Sequence, residues 1–333
     1  MSSAYIEHPF IKNPFTMEML KLFDTLRYKK TNFNVQSCAL ITGESGSGKS
    51  GLAKFFLKKN PVIEQSQRTY IPVFYFKVIS VSKAEYLLKS ILVELDDPQM
   101  GEGDTDQRKL LTRLVTLLKS TGVELIIIDE IQVVFERRSA KIISGIADLF
   151  KDLIEESKIP IVFMGMPWST YLVESNSQLS TRISHRHTIP PYKISDNKSR
   201  DDYRRLLHFV SSAYGFTESI KLEEVSTAFR FFSATSGNLK LTLKLIQDAF
   251  IQQKMTGEKV GNNLFADIIK SYGVIDECNP FLLPVERLVL RELVTHSDFH
   301  FGYRANKNAI IDAEYIEFGV SKSNKLYVVN NVA

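Results

Sequence analysis

The chain has 333 residues, 44% hydrophobic and 24% charged, a balance that excludes disordered and fibrous classes and leaves room for one large or two modest folded units. Net charge is +4, with nine of the 42 Lys/Arg and four of the 38 Asp/Glu in residues 1–60; nucleic-acid contact is permitted, but no basic tail demands it. The sequence has no apolar run of membrane-spanning length, no basic and apolar leader at Met1–His8, and only Cys38 and Cys278 as thiols, so a reducing, cytoplasmic setting is expected.

The first expected element is a helix from about Thr16 to Tyr28, with Met19, Leu20, Leu22, Phe23 and Leu26 on its apolar face and Thr16 as N-cap. Asn32-Phe33-Asn34 reads as a turn. Cys38-Ala39-Leu40-Ile41-Thr42 suits a buried strand. It runs into Gly43-Glu44-Ser45-Gly46-Ser47-Gly48-Lys49-Ser50, which fits the phosphate-cradling pattern G-x-x-x-x-G-K-[ST]. Glycines let the loop turn tightly and bring backbone N–H groups onto phosphate oxygens. Lys49 supplies a mobile positive charge, and the Ser50 hydroxyl can ligate Mg²⁺. Gly51–Leu57 reads as the following helix, stopped near Asn60-Pro61, with its positive end toward the same anion. Residues 43–51 are therefore assigned to the nucleotide.

Ile71–Phe76 reads as the next strand, Lys83–Leu95 as a helix and Asp96–Asp106 as a loop. Gln107–Ser120 is an amphipathic helix closed by Gly122. Leu125-Ile126-Ile127-Ile128 then runs into Asp129-Glu130, a buried strand delivering two carboxylates to a ligand crevice. In that pattern Asp129 holds Mg²⁺ and Glu130 orients and deprotonates the attacking water. A helix over Ile142–Ser157, a strand over Ile159–Gly165 and a short strand over His187–Pro190 complete an α/β unit with a parallel sheet. From Ser199 the pattern is helical: 199–213, 222–234, 237–254 and 262–272. In the last stretch Pro284–His296 suits a helix, and Glu314–Phe318 with Leu326–Val329 a hairpin.

This order of parts resembles a AAA+ P-loop ATPase with a five-stranded parallel sheet and a smaller helical lid. More narrowly, the chain is similar to the TnsC/TniB family of AAA+ transposition regulators. The residues that carry the likeness are Ile6-Glu7-His8-Pro9, Gly43–Ser50, Ile126–Gln132, Pro160–Pro167, Gln178-Leu179-Ser180-Thr181-Arg182 and Thr235–Leu239. The likeness spans about residues 5–275, and the compact size is similar to members found in CRISPR-associated transposons. It divides the chain into an N-terminal extension and helix (1–36), an ATPase core (37–192) and a helical lid (193–275); the C-terminal tail (276–333) has no clear counterpart in the family, and partner binding is a candidate role for it.

The resemblance implies several roles. Arg182, between the fourth and fifth strands, matches an arginine finger that reaches the γ-phosphate of a neighbouring subunit; Arg186 is the runner-up. Lys240, at the start of a lid helix, matches a phosphate-sensing position where arginine is usual, though lysine acts there as a point charge. Met166 stands where the family often has Thr or Asn, which predicts slow hydrolysis with ATP binding intact. Lys83, Lys109 and Arg113 fall in the region that contacts DNA in the family; Lys109 and Arg113 are four apart and share a helix face, while Glu102, Asp104 and Asp106 nearby oppose phosphate. Such contacts would go to the DNA backbone and ignore sequence.

As a whole the family implies ATP-bound, Mg²⁺-dependent oligomers on double-stranded DNA. They bridge a target selector of the TniQ type, RNA-guided in some members, to a transposase of the TnsB/TnsA type, and hydrolysis disassembles them. Two other readings stay open: a AAA+ replication initiator or loader, and a DNA-independent signalling scaffold switched by nucleotide.

Overall fold

The computed structural model describes residues 9–64, 66, 69–79, 83–103, 105–134, 139–216, 219–295 and 314–329. Ile6-Glu7-His8, Asp104 and residues 296–313 and 330–333 lie outside the described residues.

In chain order the elements are α1 (Pro14–Phe33), β1 (Cys38–Thr42), α2 (Lys49–Lys59), β2 (Ile63–Glu64), β3 (Thr69–Tyr70), β4 (Val73–Lys77), α3 (Ala84–Glu94), α4 (Gln107–Ser120), β5 (Leu125–Asp129), α5 (Ala140–Ser157) and β6 (Ile161–Gly165). There follow α6 (Thr170–Glu174), α7 (Ser177–Arg182), β7 (Ile183–Thr188), α8 (Asn197–Ala213), α9 (Val225–Thr235), α10 (Leu239–Thr256), α11 (Asn262–Ser271), β8 (Val289–Thr295), β9 (Glu314–Val320) and β10 (Leu326–Val328). None of the described helices is long and apolar enough to cross a membrane.

Five strands form a parallel sheet in the order β4-β5-β6-β1-β7. The chain leaves β1 for the far edge, returns through β5 and β6, and finishes at β7 on the other side of β1. That reversal opens a crevice at the carboxyl ends of the strands, where the loop after β1 lies. β1, β5 and β6 are buried throughout, as parallel strands covered on both faces must be. One face packs Leu88, Leu110, Leu114, Ile146, Phe150 and Phe163 from α3, α4, α5 and β6. The other packs Met19, Phe23, Leu52 and Phe56 from α1 and α2.

α1 begins earlier and ends later than its apolar stripe predicts. Its N-cap is Asn13, not Thr16: the Asn13 carboxamide accepts from the Thr16 N–H at 2.8 Å, and the Thr16 hydroxyl accepts from the Asn13 N–H at 2.9 Å. Pro14 fits the first turn because its missing N–H has no partner there to lose. The helix absorbs Asn32 and Phe33, and Asn34 ends it at φ 51°, a left-handed conformation that asparagine tolerates. Burying Met19, Leu20, Phe23 and Leu26 stabilises by roughly 6–12 kcal/mol, against about 1 kcal/mol for a cap. Packing holds the helix, and the cap decides where it starts.

β7 starts at Ile183, four residues before the expected strand. It lies at the sheet edge, so Ser184 and Arg186 are exposed there and the apolar signal is diluted. The helical part, α8 to α11, buries Tyr203, Phe216, Phe231, Phe232 and Phe265 in one core shared with Leu290, Phe318 and Val320. Those last three belong to an antiparallel sheet of order β10-β9-β8. The expected hairpin is β9–β10, but the expected helix over Pro284–His296 is wrong: Val289–Thr295 is a strand. Its short apolar run carries both periods, and Val289, Val294 and Thr295 favour the extended chain. Within β8, the buried Glu292 carboxylate accepts from the N–H groups of Ile194 at 2.7 Å and Ser195 at 2.8 Å. The C-terminal sheet is thereby tied to the strap between β7 and α8.

Candidate nucleotide-binding site

The loop after β1 adopts the shape its glycines allow. Gly46 and Gly48 have φ of 79° and 103°, values that a residue with a Cβ rarely takes. Gly48 caps α2 with no side-chain bond to the first turn, so the helix presents uncapped N–H groups to the loop. The Ser47 hydroxyl is buried with no hydrogen-bond partner. An orphaned donor beside a helix N-terminus fits an anionic ligand with several oxygens, such as a nucleotide's phosphates.

Lys49 is buried. Its Nζ donates to the carbonyls of Gly43 at 2.6 Å and Glu44 at 3.0 Å. Burial lowers its pKa below the usual lysine value, while Glu130, Asp129 and Glu44 push it back up. Three carboxylates close enough to be felt keep a positive charge available at the loop.

Asp129 ends β5 with no exposure to solvent. Its Oδ2 accepts from the Ser50 hydroxyl at 2.6 Å and from the Tyr75 hydroxyl at 2.9 Å. Its Oδ1 accepts from the Glu130 N–H at 2.9 Å. Tyr75 arrives from β4, next to β5; burial raises its pKa first, and Asp129 raises it further, so the phenol stays protonated and donates. Ser50 and Asp129 offer hard oxygen donors side by side, the donor set Mg²⁺ takes when phosphate supplies the remaining ligands. The residues present therefore fit the metal.

Glu130 has φ 58°, uncommon for a residue with a side chain. The chain turns there into a 3₁₀ turn, Ile131–Val134, that buries Gln132. The Gln132 Nε2 donates to the Glu130 carboxylate at 2.5 Å, and its Oε1 accepts from the Met166 N–H at 3.1 Å. The Met166 side chain makes no part of this link.

The lid reaches the same loop. Asn238 caps α10 and donates from Nδ2 to the Ser45 carbonyl at 2.8 Å. The Lys240 N–H donates to the Gly46 carbonyl at 3.0 Å. A Cβ on Gly46 would lie 2.7 Å from both the Asn238 Oδ1 and the Lys240 Cβ, so glycine is what permits the approach. Lys240 thus stands against the loop, with its side chain exposed. Gly51 sits in the first turn of α2, where a Cβ would meet open space.

Arg182 lies elsewhere. It ends α7, one residue before Ile183, and Ile183 pairs with Cys38 at the start of β1. The phosphate loop follows the other end of β1, roughly 13–17 Å away at ~3.3 Å per residue. Arg182 is held by Glu155 and the Gln178 carbonyl. The runner-up, Arg186, bonds the Ser180 hydroxyl at 2.8 Å and faces Glu174 at 3.6 Å.

The three cations expected on DNA are not equivalent. Lys83 is the exposed N-cap residue of α3, and Lys109 is exposed on α4. Arg113 is turned inward: its Nε donates to the buried Asp97 at 2.9 Å, and its Nη1 to the Gln99 side chain at 2.5 Å and the Glu102 carbonyl at 2.8 Å. Helix spacing puts it beside Lys109, but Asp97 is within reach and takes the guanidinium. Arg113 pins the loop before α4, so of the three it is the one whose guanidinium is already engaged within the protein.

Sequence reasoning passed over Tyr75, Gln132 and the side-chain role of Asn238. Gln132 did leave a signal: one polar residue inside Ile131-Gln132-Val133-Val134 needs a partner if buried. Tyr75 left none, because tyrosine is ordinary in a strand.

A five-stranded parallel sheet in this order, a glycine loop entering a helix after β1 and an acid pair at the end of β5, one strand over across β6, define the fold of a AAA+ P-loop ATPase. Solved structures agree. Cdc6p from Pyrobaculum aerophilum superposes with a TM-score of 0.58 at 16% identity, over 86% of this chain and 74% of that one. The Aeropyrum pernix ORC2 protein, in its ADPNP–ADP complexes, gives 0.55 at 15%, over 81% and 70%. The Aeropyrum pernix ORC1 protein, in complex with DNA, gives 0.54 at 16%, over 79% and 66%. At such identities the likeness is one of fold. No curated protein sequence matches the chain. The family model for the bacterial TniB protein matches residues 3–194, and the chain belongs to the TniB family.

Proposed function

We propose that the chain is an ATP-dependent regulator of DNA transposition. ATP-bound subunits assemble head-to-tail on double-stranded DNA, bridge a TniQ-type target selector to a TnsB/TnsA-type transposase, and come apart on hydrolysis in the cytoplasm. The observation that carries this reading is the separation of Arg182 from the phosphate loop. A cation at the far end of the strand serves no phosphate in its own subunit, but it can serve the next one.

The roles follow. The loop 43–51 and Lys49 hold the phosphates, and Lys240 approaches them from the lid. Ser50 and Asp129 would hold Mg²⁺, which would supply positive charge to the phosphates. Glu130 orients a water and takes its proton as the water oxygen bonds the γ-phosphorus and the bond to the β-phosphate oxygen breaks, releasing ADP. Arg182 of one subunit stabilises that transition state in its neighbour. Lys83 and Lys109 contact the DNA backbone. In this reading residues 1–36 are an N-terminal extension, 37–192 the ATPase core, 193–275 the lid and 276–333 a partner-binding tail.

A second reading, a replication initiator or loader, is favoured by the likeness to Cdc6p and the ORC proteins. Particle mass in solution tests both readings against the scaffold alternative, with and without a non-hydrolysable ATP analogue and duplex DNA. Large assemblies that need both ligands, and that capture a TnsB-type transposase, support the transposition regulator. Assembly on DNA without transposase capture, but with loading of a helicase, moves the assignment to the initiator. Assembly indifferent to DNA leaves the scaffold.

A further inference from the structure

We infer that Gln132 is a positioning residue for hydrolysis, fixing the Glu130 carboxylate to the end of β6 through its side-chain amide. The inference rests on the ATPase reading of the site above.

Three observations meet at this residue. Gln132 is 5% exposed, so its amide must find partners inside the protein. Its orientation is dictated chemically. The Met166 N–H can only donate, so it must face Oε1; the Glu130 carboxylate can only accept when ionised, so it must face Nε2. The distances of 3.1 Å and 2.5 Å fit that arrangement and no flipped one. The space is also cut to size: a Cβ on Gly165 would lie 2.8 Å from the Gln132 Oε1.

The second point is what surrounds the acid. Glu130 follows directly on β5 in a left-handed conformation, so the strand alone does not aim its side chain. Gln132 supplies the missing constraint. It runs from the carboxylate to Met166, the first residue after β6, which neighbours both β5 and β1.

Third, the thioether of Met166 has no proton to give. A donor toward the acid at this end of β6 has to come from another residue, and Gln132 provides it through the Met166 backbone. An amide serving only its own burial would be replaceable by an apolar side chain of similar volume without effect on turnover. A positioning amide would not be, because a misplaced base loses rate while substrate binding is kept.

The experiment measures steady-state ATP hydrolysis by the full chain at saturating Mg²⁺ and duplex DNA. Gln132→Glu keeps the acceptor toward Met166 and replaces the donor with a second carboxylate; Gln132→Met keeps the volume and removes both bonds. Glu130→Gln and the unaltered chain run alongside, and melting midpoints and nucleotide Kd are recorded for each. The expected result is a kcat lowered about 10- to 100-fold in both Gln132 variants, with KM and Kd within about twofold. An unchanged kcat in either variant that still binds nucleotide overturns the inference. A raised kcat overturns it too, since Gln132 would then restrain the acid. Full turnover in Glu130→Gln, or none in the unaltered chain, overturns the ATPase reading and the inference with it.

Discussion

Ser50 and Asp129 lie 79 residues apart and share a hydrogen bond of 2.6 Å. The bond crosses β6, which separates β1 from β5 in the sheet. Replacing Asp129 by Asn should leave the fold intact, since the amide oxygen can accept from the Glu130 N–H while the amide N–H groups donate to the Ser50 and Tyr75 hydroxyls, which can accept as well as donate. It should lower Mg²⁺-dependent nucleotide affinity about 10-fold or more, because the charge that draws a hard cation is gone. Nucleotide titrations with and without Mg²⁺ check this: the loss should appear only with the metal.

Lys49→Ala should raise the nucleotide Kd about 100-fold or more. Its ammonium is the buried cation at the loop, and a desolvated charge–phosphate contact is worth about 2–4 kcal/mol. Fluorescent-nucleotide binding measures it, and an unchanged Kd would remove Lys49 from the phosphate site.

Tyr75→Phe tests a residue that the sequence did not announce. One hydrogen bond to Asp129 disappears, at a cost of about 1 kcal/mol in stability. The half-saturating Mg²⁺ concentration for nucleotide binding should shift severalfold, because Oδ2 loses a fixed donor that orients it. A melting curve and a Mg²⁺ titration read the two effects separately.

Arg182→Ala should leave nucleotide binding by the single subunit unchanged and abolish either assembly or hydrolysis. The residue is too far from its own loop to affect the first and is proposed to act on the second. Light scattering together with phosphate release decides it; normal behaviour in both would reject the trans role.

The cations of the α3–α4 region should separate. Arg113→Ala leaves Asp97, 5% exposed, with the Gly101 N–H but without its charge partner, and should destabilise the fold by about 3 kcal/mol. Lys83→Glu with Lys109→Glu should leave the melting midpoint nearly unchanged. That pair should weaken DNA binding equally on unrelated sequences and lower the salt slope by about two.

Much of the sheet was legible because burial on both faces writes itself as uninterrupted apolar runs: Leu125–Ile128 could be little else. The nucleotide loop was legible because phosphate chemistry dictates its glycines and lysine at fixed spacing. What escaped did so for physical reasons. The Arg113–Asp97 pair is a long-range choice between two equally plausible surroundings for an arginine. Val289–Thr295 satisfies the strand and helix periods alike until its partner strand, far along the chain, selects one. The Gln132 link joins two residues brought together only by the pairing of β5 with β6, so neither segment alone reports it.

If Arg182 acts in trans as proposed, its placement at one end of β1 with the phosphate loop at the other makes each subunit directional, a giver on one side and a receiver on the other. Under the proposed function such units join heterologously rather than back to back. An open row of them always carries one subunit whose loop receives no arginine, and that subunit keeps its ATP longest. Turnover per subunit should then climb with row length and level off, so the age of an assembly is written in its interior while its receiving end stays freshly charged.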